Sequence, residues 1–333
     1  MNFRTIINVD PSSLKIAYSD RVMFLGSCFA SYMGKQLQQC KMPVMINPSG
    51  TVYNPVSVLN TLENLISGKL FTEDDLFNNE GTWLSFYHYT DFSSEDAPSL
   101  LKKINDSTFE AREFLRRSRF LFITFGTARV YRWKGSGLIV SNCHKVPSAQ
   151  FETELLSVNY IVDQWELLLG RLSEFNPDLK VVFTVSPVRH WKDGAHNNQV
   201  SKSVLFLALE ELIQHRSGLE YFPAYELQID DLRDYRFYND DMLHPSTSAI
   251  DYIWGKFSAA YFDNDTINLR TEVLKIVRAC NHRFISDSPT HKREFAGKML
   301  RQISDLKKRD TIIDLDVETN YFLGLLENKD RPV

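Results

Sequence analysis

A glycine–serine step near the start of the chain could carry nucleophilic chemistry. Gly26 and Ser27 stand between an apolar run at residues 21–25 and a stretch with helical spacing at residues 28–40. Glycine permits a sharp turn, and a hydroxyl at a helix N-terminus lies beside unpaired N–H groups that can stabilise an oxyanion. Ser27 is therefore a candidate nucleophile, although a serine here can also serve only as an N-cap. Cys28 is a rival nucleophile, and we expect it to point into the core.

A candidate base lies far along the chain, at residues 240–246. Asp241 and His244 are three positions apart there. A nucleophilic serine needs a base within reach, and the base needs an acceptor that orients it. On a turn, this spacing lets the Asp241 carboxylate hold Nδ1–H of His244 while Nε2 faces outward. The alternative is a solvated loop in which both side chains contact water or cap a helix.

Other polar residues are candidates for substrate binding. They are Arg189, which could bind a carboxylate or phosphate of the substrate, and the histidines His88, His144, His190 and His196. For each histidine, a structural role is the competing interpretation. No histidine pair has i,i+4 spacing and no Cys-x-x-Cys occurs, so we predict no metal site. A Gly-rich phosphate loop and a Gly-x-Ser-x-Gly elbow are also missing, and we expect no cofactor.

The elements that must position these residues alternate between strand and helix. Apolar runs predict strands at residues 21–25, 44–46, 120–125, 181–185 and 219–222. Helical spacing predicts helices at residues 28–40, 55–66, 154–173, 199–216 and 246–262. This alternation, with strands that lack a period of two, predicts a three-layer α/β/α sandwich around a mostly parallel sheet. Ligands bind outside the carboxyl ends of such strands, which is where Ser27 follows its strand.

The chain changes character after about residue 262. Residues 267–281, 291–308 and 310–327 have helical spacing and many charges. We therefore expect one α/β domain at residues 1–262 and a helical extension at residues 263–333. The extension would pack on the domain or mediate self-association into a homo-oligomer.

The composition excludes several classes of protein. The 333 residues are 43% hydrophobic and 24% charged with a net charge of −4, which indicates a globular chain without a field that attracts nucleic acid or an anionic membrane. We find no apolar stretch long enough for a membrane span or a signal peptide. The four cysteines match neither a zinc pattern nor a disulfide framework. We therefore expect free thiols and a cytoplasmic location.

One string and several further stretches resemble a known family. The string Gly26-Ser27-Cys28-Phe29-Ala30 matches the motif that names the GSCFA domain family, which is similar to SGNH/GDSL-type hydrolases. An Asp-x-x-His near the end of the α/β domain fits the same layout. Residues 47–55, 124–128, 142–147 and 184–189 also resemble the family. The resemblance covers roughly residues 1–262.

The resemblance implies a role for each site residue. Ser27 would be the nucleophile and donate to the oxyanion through its own N–H, and Gly50 would supply a second donor. His244 would be the base and Asp241 its orienting partner.

The chain departs from the SGNH pattern at one oxyanion position. SGNH enzymes usually carry an asparagine in a Gly-x-Asn-Asp loop after a central strand, whereas here the equivalent strand leads into Gly126-Thr127-Ala128. Thr127 could take the place of that asparagine, or Asn142 could reach in from further along. Removal of one oxyanion donor commonly lowers the rate ~100- to 1000-fold, so this departure bears on the efficiency of the reaction.

These residues together predict a serine-dependent hydrolase that acts on a small acyl ester, for example of an acetylated carbohydrate. An acyltransferase on the same scaffold is one alternative, because the two reactions share their first half. A ligand-binding module without catalysis is the other.

Overall fold

The protein is seen in a computed structural model that describes residues 4–284, 288–309 and 312–327. Its strands are β1 (Val22–Gly26), β2 (Val44–Ile46), β3 (Phe77–Asn79), β4 (Thr82–Leu84), β5 (Ser93–Ser94), β6 (Phe120–Phe125), β7 (Arg129–Trp133), β8 (Phe151–Leu155), β9 (Lys180–Val185) and β10 (Leu219–Tyr221). Its helices are α1 (Cys28–Gln39), α2 (Pro55–Ser67), α3 (Ala97–Arg116), α4 (Val158–Phe175), α5 (Ala195–His215), α6 (Ala224–Glu226), α7 (Thr247–Tyr261), α8 (Asn264–Ala279), α9 (Pro289–Arg309) and α10 (Asp316–Glu327).

The five predicted strands form one parallel sheet. Their order is β10-β9-β6-β1-β2, and every neighbouring pair runs parallel. The chain leaves β1 for β2 on one side and then continues from β6 on the other side. The topological switch point therefore lies between β1 and β6, and clefts at such points bind ligands in open α/β sheets.

Helices cover both faces of the sheet, as predicted. Phe24 and Phe122 lie in one apolar cluster with α1 and α7, whereas the next residues of the same strands, Leu25 and Ile123, lie in another cluster with α2, α4 and α5. The strands are apolar throughout because both faces are buried. The fold is the three-layer α/β/α sandwich.

The C-terminal region is helical, as expected, and packs against the sandwich. Residues from three of its helices, Ile276, Met299 and Phe322, are buried in the same cluster as Phe24 of β1. Residues 310–311, which begin the third predicted helix, lie outside the described residues. The domain boundary at residues 262/263 stays a prediction. Within the described ranges, no helix combines the length and apolar character needed to cross a bilayer.

Several elements were not predicted or begin elsewhere. The helix predicted at residues 154–173 begins at Val158, because residues 151–155 pair with β7 and Ser157 caps α4 by accepting from Tyr160 N. Two small antiparallel sheets, β3-β4-β5 and β7-β8, and helix α3 are inserted between the predicted elements.

The junction of β1 and α1 requires glycine. Gly26 has φ of +125°, and a Cβ there would lie 2.1 Å from the carbonyl oxygen of Thr124, its partner in β6. A side chain would therefore push apart two central strands of the sheet.

We expect Gly26→Ala to lower the free energy of unfolding by ~3 kcal/mol or more, because it combines backbone strain with a clash against the main chain. Gly81→Ala is the matched control, since Gly81 also has positive φ, +86°, but open space around it. Gly81→Ala should lower the free energy of unfolding by only ~1–2 kcal/mol. Urea unfolding of both variants measures the difference, and equal losses would contradict the steric argument.

Candidate active site

A cavity of about 350 Å³ opens at the carboxyl ends of β1, β6 and β9. Its walls come from the residues that follow these three strands and from the turn that ends in His244. The cavity lies at the switch point between β1 and β6. Its lining includes Ser27, Cys28, Tyr53, Gly126, Thr127, Ser186, Arg189, His190, Trp191, Lys192 and His244.

Ser27 is both the N-cap of α1 and a wall of the cavity. Its Oγ accepts a hydrogen bond from Phe29 N at 3.3 Å, and its backbone is extended, as an N-cap requires. The residue is only 1% exposed. Gly126 leaves room beside it, because a Cβ on Gly126 would lie 3.6 Å from the Ser27 Cβ. The N-cap and nucleophile interpretations of Ser27 are thus compatible.

Cys28 lies beside Ser27 in the cavity. The expectation that it points into the core is wrong, because it is partly exposed and lines the cavity. Burial nevertheless raises the pKa of the Cys28 thiol, although backbone N–H groups and the charge of Lys202 oppose that rise. The thiolate form is disfavoured, which weakens Cys28 as a rival nucleophile.

Asp241 holds His244 by a short hydrogen bond. The distance between Asp241 Oδ2 and His244 Nδ1 is 2.6 Å, and Oδ1 accepts from the N–H groups of Leu243 and His244 at 2.8 and 2.9 Å. Met242 has φ of +58°, and this left-handed residue closes the turn. The two backbone hydrogen bonds, and then the imidazole, lower the pKa of Asp241 to about 2. The carboxylate is therefore ionised at neutral pH and orients the ring.

Ser27 and His244 line the same cavity but make no hydrogen bond to each other. The only described partner of Ser27 Oγ is Phe29 N, and His244 is bonded through Nδ1, which leaves Nε2 available. Catalytic hydrogen bonds are often long in the absence of substrate and tighten when it binds. The cavity thus brings together a serine hydroxyl and a carboxylate-held imidazole that do not contact each other.

The amides predicted to stabilise an oxyanion already donate within the protein. The N–H of Ser27 donates to Thr124 O at 3.2 Å, that of Gly50 to Asn47 O at 2.8 Å, and that of Thr127 to Tyr53 O at 3.1 Å. The N–H of Cys28, the first residue of α1, donates to no other residue in the described part of the chain.

The remaining oxyanion candidates are placed differently from one another. Thr127 lines the cavity, but its hydroxyl bonds Ser201 Oγ at 2.9 Å. Gly50 and Asn142 do not line the cavity. Gly50 has φ of +78° and packs against Tyr89, and Asn142 Oδ1 accepts from His144 N at 2.7 Å, as part of a loop.

The histidines fall into two groups. His88 and His144 do not line the cavity: they bond the side chain and the backbone carbonyl of Ser85, at 2.8 Å each, and are buried among aromatic rings. Burial, and then the charge of His144, lower the pKa of His88 to about 3, which fits a neutral structural residue. His190 and Arg189 do line the cavity, whereas His196 is exposed on α5.

One buried polar face of α5 holds the loops that form the cavity. Asn198 Oδ1 accepts from His190 N at 2.9 Å, and Ser201 Oγ accepts from Ala128 N at 2.7 Å. Lys202 Nζ donates to Ser186 O at 2.6 Å. All three polar residues are nearly inaccessible to solvent. Three consecutive contacts from one helix thus fix the segments after β6 and β9.

Tyr53, Ser186, Trp191 and Lys192 also line the cavity but were not predicted from the sequence, and neither was the supporting face of α5. A signal for that face was present. Residues 205, 208, 209 and 212 form the apolar stripe of α5, and continuing it backward in steps of three or four reaches Asn198, Ser201 and Lys202. Polar residues on a buried stripe point to partners that must be satisfied.

Comparisons with known proteins bear on this site. The GSCFA family model matches residues 21–257, well over half of the chain. The chain belongs to the GSCFA family. This confirms the family predicted from residues 26–30. A search of curated proteins finds no match.

Two solved structures match this GSCFA chain at low identity and low TM-score. One is described as a platelet activating factor from Streptococcus pneumonia, with 12% identity, a TM-score of 0.37, and coverage of 72% of this chain and 83% of that one. The other is a carbohydrate esterase family 3 protein from Talaromyces cellulolyticus, with 10% identity, a TM-score of 0.36, and coverage of 76% and 99%.

The buried Lys202 gives a prediction for stability. Burial lowers the pKa of Lys202 to about 7. The thiol of Cys28 raises this pKa and the positive charge of Arg189 lowers it further, but both effects are smaller than that of burial. Between about pH 7 and 10 the unfolded chain binds a proton at this lysine that the folded chain does not. The contribution of Lys202 to stability therefore rises with pH over this range and is constant below it.

We expect the difference in unfolding free energy, wild type minus Lys202→Met, to increase by up to ~1.4 kcal/mol per pH unit between pH 7.5 and 9.5. Urea titrations at several pH values measure it. Lys298→Met, at an exposed lysine, controls for loss of a positive charge. If the difference between wild type and Lys202→Met stays constant with pH, the pKa of Lys202 is not lowered in the folded protein.

Proposed function

We propose that this chain is a serine-dependent ester hydrolase in which Ser27 is the nucleophile, His244 the base and Asp241 its orienting partner. One observation carries the proposal. A serine at a helix N-terminus and an imidazole held by an ionised carboxylate line the same cavity, at the switch point of the sheet. This is the set of groups that acyl transfer through serine requires.

The reaction begins with proton transfer from Ser27 Oγ to His244 Nε2 as Oγ attacks the ester carbonyl carbon. The tetrahedral intermediate collapses, the C–O bond to the alcohol breaks, and His244 returns the proton to the leaving alkoxide. Water, activated by the same imidazole, then attacks the acyl-enzyme and releases the acid. Asp241 stays ionised and stabilises the imidazolium in both steps.

The oxyanion would be stabilised chiefly by the N-terminus of α1. Among the amides next to Ser27, that of Cys28 has no described acceptor in another residue, and it lies where the helix dipole is positive. The backbone of Cys28 would thus contribute although its thiol does not react. The N–H groups of Ser27, Gly50 and Thr127 would first have to release their present acceptors.

The substrate would be a small acyl ester, because the cavity of about 350 Å³ has room for a short acyl group and part of an alcohol. A carbohydrate alcohol, a cytoplasmic location and self-association through the C-terminal helices stay predictions. Val317, Tyr321 and Leu323 of α10 are exposed apolar residues that would support such self-association.

We expect a fluorophosphonate probe to label the wild type and not Ser27→Ala, and ester hydrolysis to fall by at least ~10³-fold in that variant. Ser203→Ala, at an exposed serine of α5, is the matched control and should keep both properties. Folding is checked by circular dichroism. Labelling that persists in Ser27→Ala and disappears in Cys28→Ala would assign the nucleophile to the cysteine instead.

A second variant tests the orienting carboxylate. Asp241→Asn should lower kcat by ~10²–10⁴-fold, because an amide keeps the shape but loses the charge that stabilises the imidazolium. Asp240→Asn changes the exposed neighbour and should leave kcat within twofold. Steady-state hydrolysis of 4-nitrophenyl acetate measures both. Equal kcat values for Asp241→Asn and the wild type would remove Asp241 from the proposal.

Product analysis of the ester reaction and labelling by the fluorophosphonate probe together distinguish the esterase from its two alternatives. Ester products formed with an added acceptor alcohol, in place of free acid, would identify an acyltransferase. A folded wild type that the probe does not label would identify a non-catalytic binding module.

A further inference from the structure

A second cavity, of about 220 Å³, adjoins the first at Arg189, which lines both. It is lined by Arg189, Arg233, Asp234, Tyr235, Tyr238 and Met242. The turn from Asp241 to His244 lies between the two cavities, because Met242 lines the second and its neighbours Leu243 and His244 line the first. A ligand that reaches His244 could therefore continue into the second cavity past Arg189.

Arg189 differs from the other charged residues of the second cavity. Arg233 pairs with Asp230 at 2.9 Å, and Asp234 pairs with Arg236 at 3.5 Å. Arg189 pairs with no carboxylate in the described part of the chain, and its Nε is buried without a hydrogen-bond partner. A buried donor on a charged group is costly when it stays unpaired. Its position between two cavities indicates a partner that arrives with a ligand.

Two carboxylates on the neighbouring loops, those of Asp241 and Asp193, already have other partners. Asp241 is held by His244 at 2.6 Å, and Asp193 by His190 at 3.0 Å. The guanidinium presents up to five N–H donors in a planar fork that matches a carboxylate or a phosphate. The ligand group that fits here is an anion.

Exposed aromatic rings flank this anion position on both sides. Trp191, which lines the first cavity, is 48% exposed, and Tyr235, which lines the second, is 78% exposed. The rings of Tyr235 and Tyr238 are 6.5 Å apart. An aromatic ring presents a rigid apolar face, on which the C–H face of a sugar ring can pack while its hydroxyl groups bond to polar neighbours.

We propose that the alcohol part of the substrate is an anionic saccharide, whose carboxylate or phosphate binds Arg189 and whose next sugar ring lies on Tyr235 and Tyr238 in the second cavity. This inference rests on the proposed function, because it places the ester carbonyl at Ser27. It adds the ligand class and a second subsite to that function.

Calorimetric titration of the Ser27→Ala protein tests the inference without turnover. The probes form two matched pairs: trigalacturonate against α-1,4-linked galactotriose, and glucose 6-phosphate against glucose. In one of the two pairs, we expect the charged ligand to bind at least ~10-fold more tightly than its neutral partner. If that pair is the galacturonate pair, the natural ligand carries a carboxylate; if it is the glucose pair, the natural ligand carries a phosphate. Added salt should weaken that preference.

Arg189→Gln, made in the Ser27→Ala protein, should abolish the preference for the charged ligand. Arg301→Gln is the control, because it removes the same charge from an exposed residue that lines neither cavity, and the preference should remain. Equal binding of charged and neutral ligands, a preference that survives Arg189→Gln, or no binding of any probe by the folded protein would overturn the inference.

Probe labelling of Ser27 is independent of these titrations. A labelled Ser27 without anion preference would remove the subsite and leave the esterase. Anion preference without labelling would leave the subsite and remove the esterase.

Discussion

The site depends on the close approach of β1 to β6 at Gly26. Without a side chain there, the Gly26 backbone can lie against Thr124, and the next amide, that of Ser27, donates to the Thr124 carbonyl. This contact ends β1, starts α1, and sets Ser27 beside Gly126 at the end of the neighbouring strand. A wider spacing between the two strands would separate the hydroxyl from the rest of the cavity wall.

Helix α5 fixes the loops that line the cavity. Loops that line a cavity lack the mutual hydrogen bonds of regular structure, so their backbone groups need partners elsewhere. Asn198, Ser201 and Lys202 supply such partners from a rigid helix.

Local signals in the sequence were sufficient for the five strands of the sheet, for the Gly26–Ser27 junction and for the turn that joins Asp241 to His244. Each depends on residues within a few positions of one another. Features that depend on contacts between distant parts of the chain could not be predicted in this way. Whether an amide is free, as at Thr127, or whether a histidine meets a cavity, as at His144, is decided by residues far along the chain. The pairing of β7 with β8 joins more distant segments. The β3-β4 hairpin, closed by Glu80 and Gly81, and helix α3, with periodic buried residues at 100, 104, 108, 111 and 115, have local signals that the prediction did not include.

The C-terminal helices complete the apolar cluster that supports the outer side of α1, since Met33 of α1 shares it with Ile276, Met299 and Phe322. A chain is synthesised from its N-terminus, so α8 to α10 leave the ribosome after every strand of the sheet. Until then, the apolar surface of α1 that packs on these helices is exposed to solvent or to chaperones. The final packing of the helix that carries Ser27 is thus a late event in biosynthesis, although the serine itself is made among the first residues.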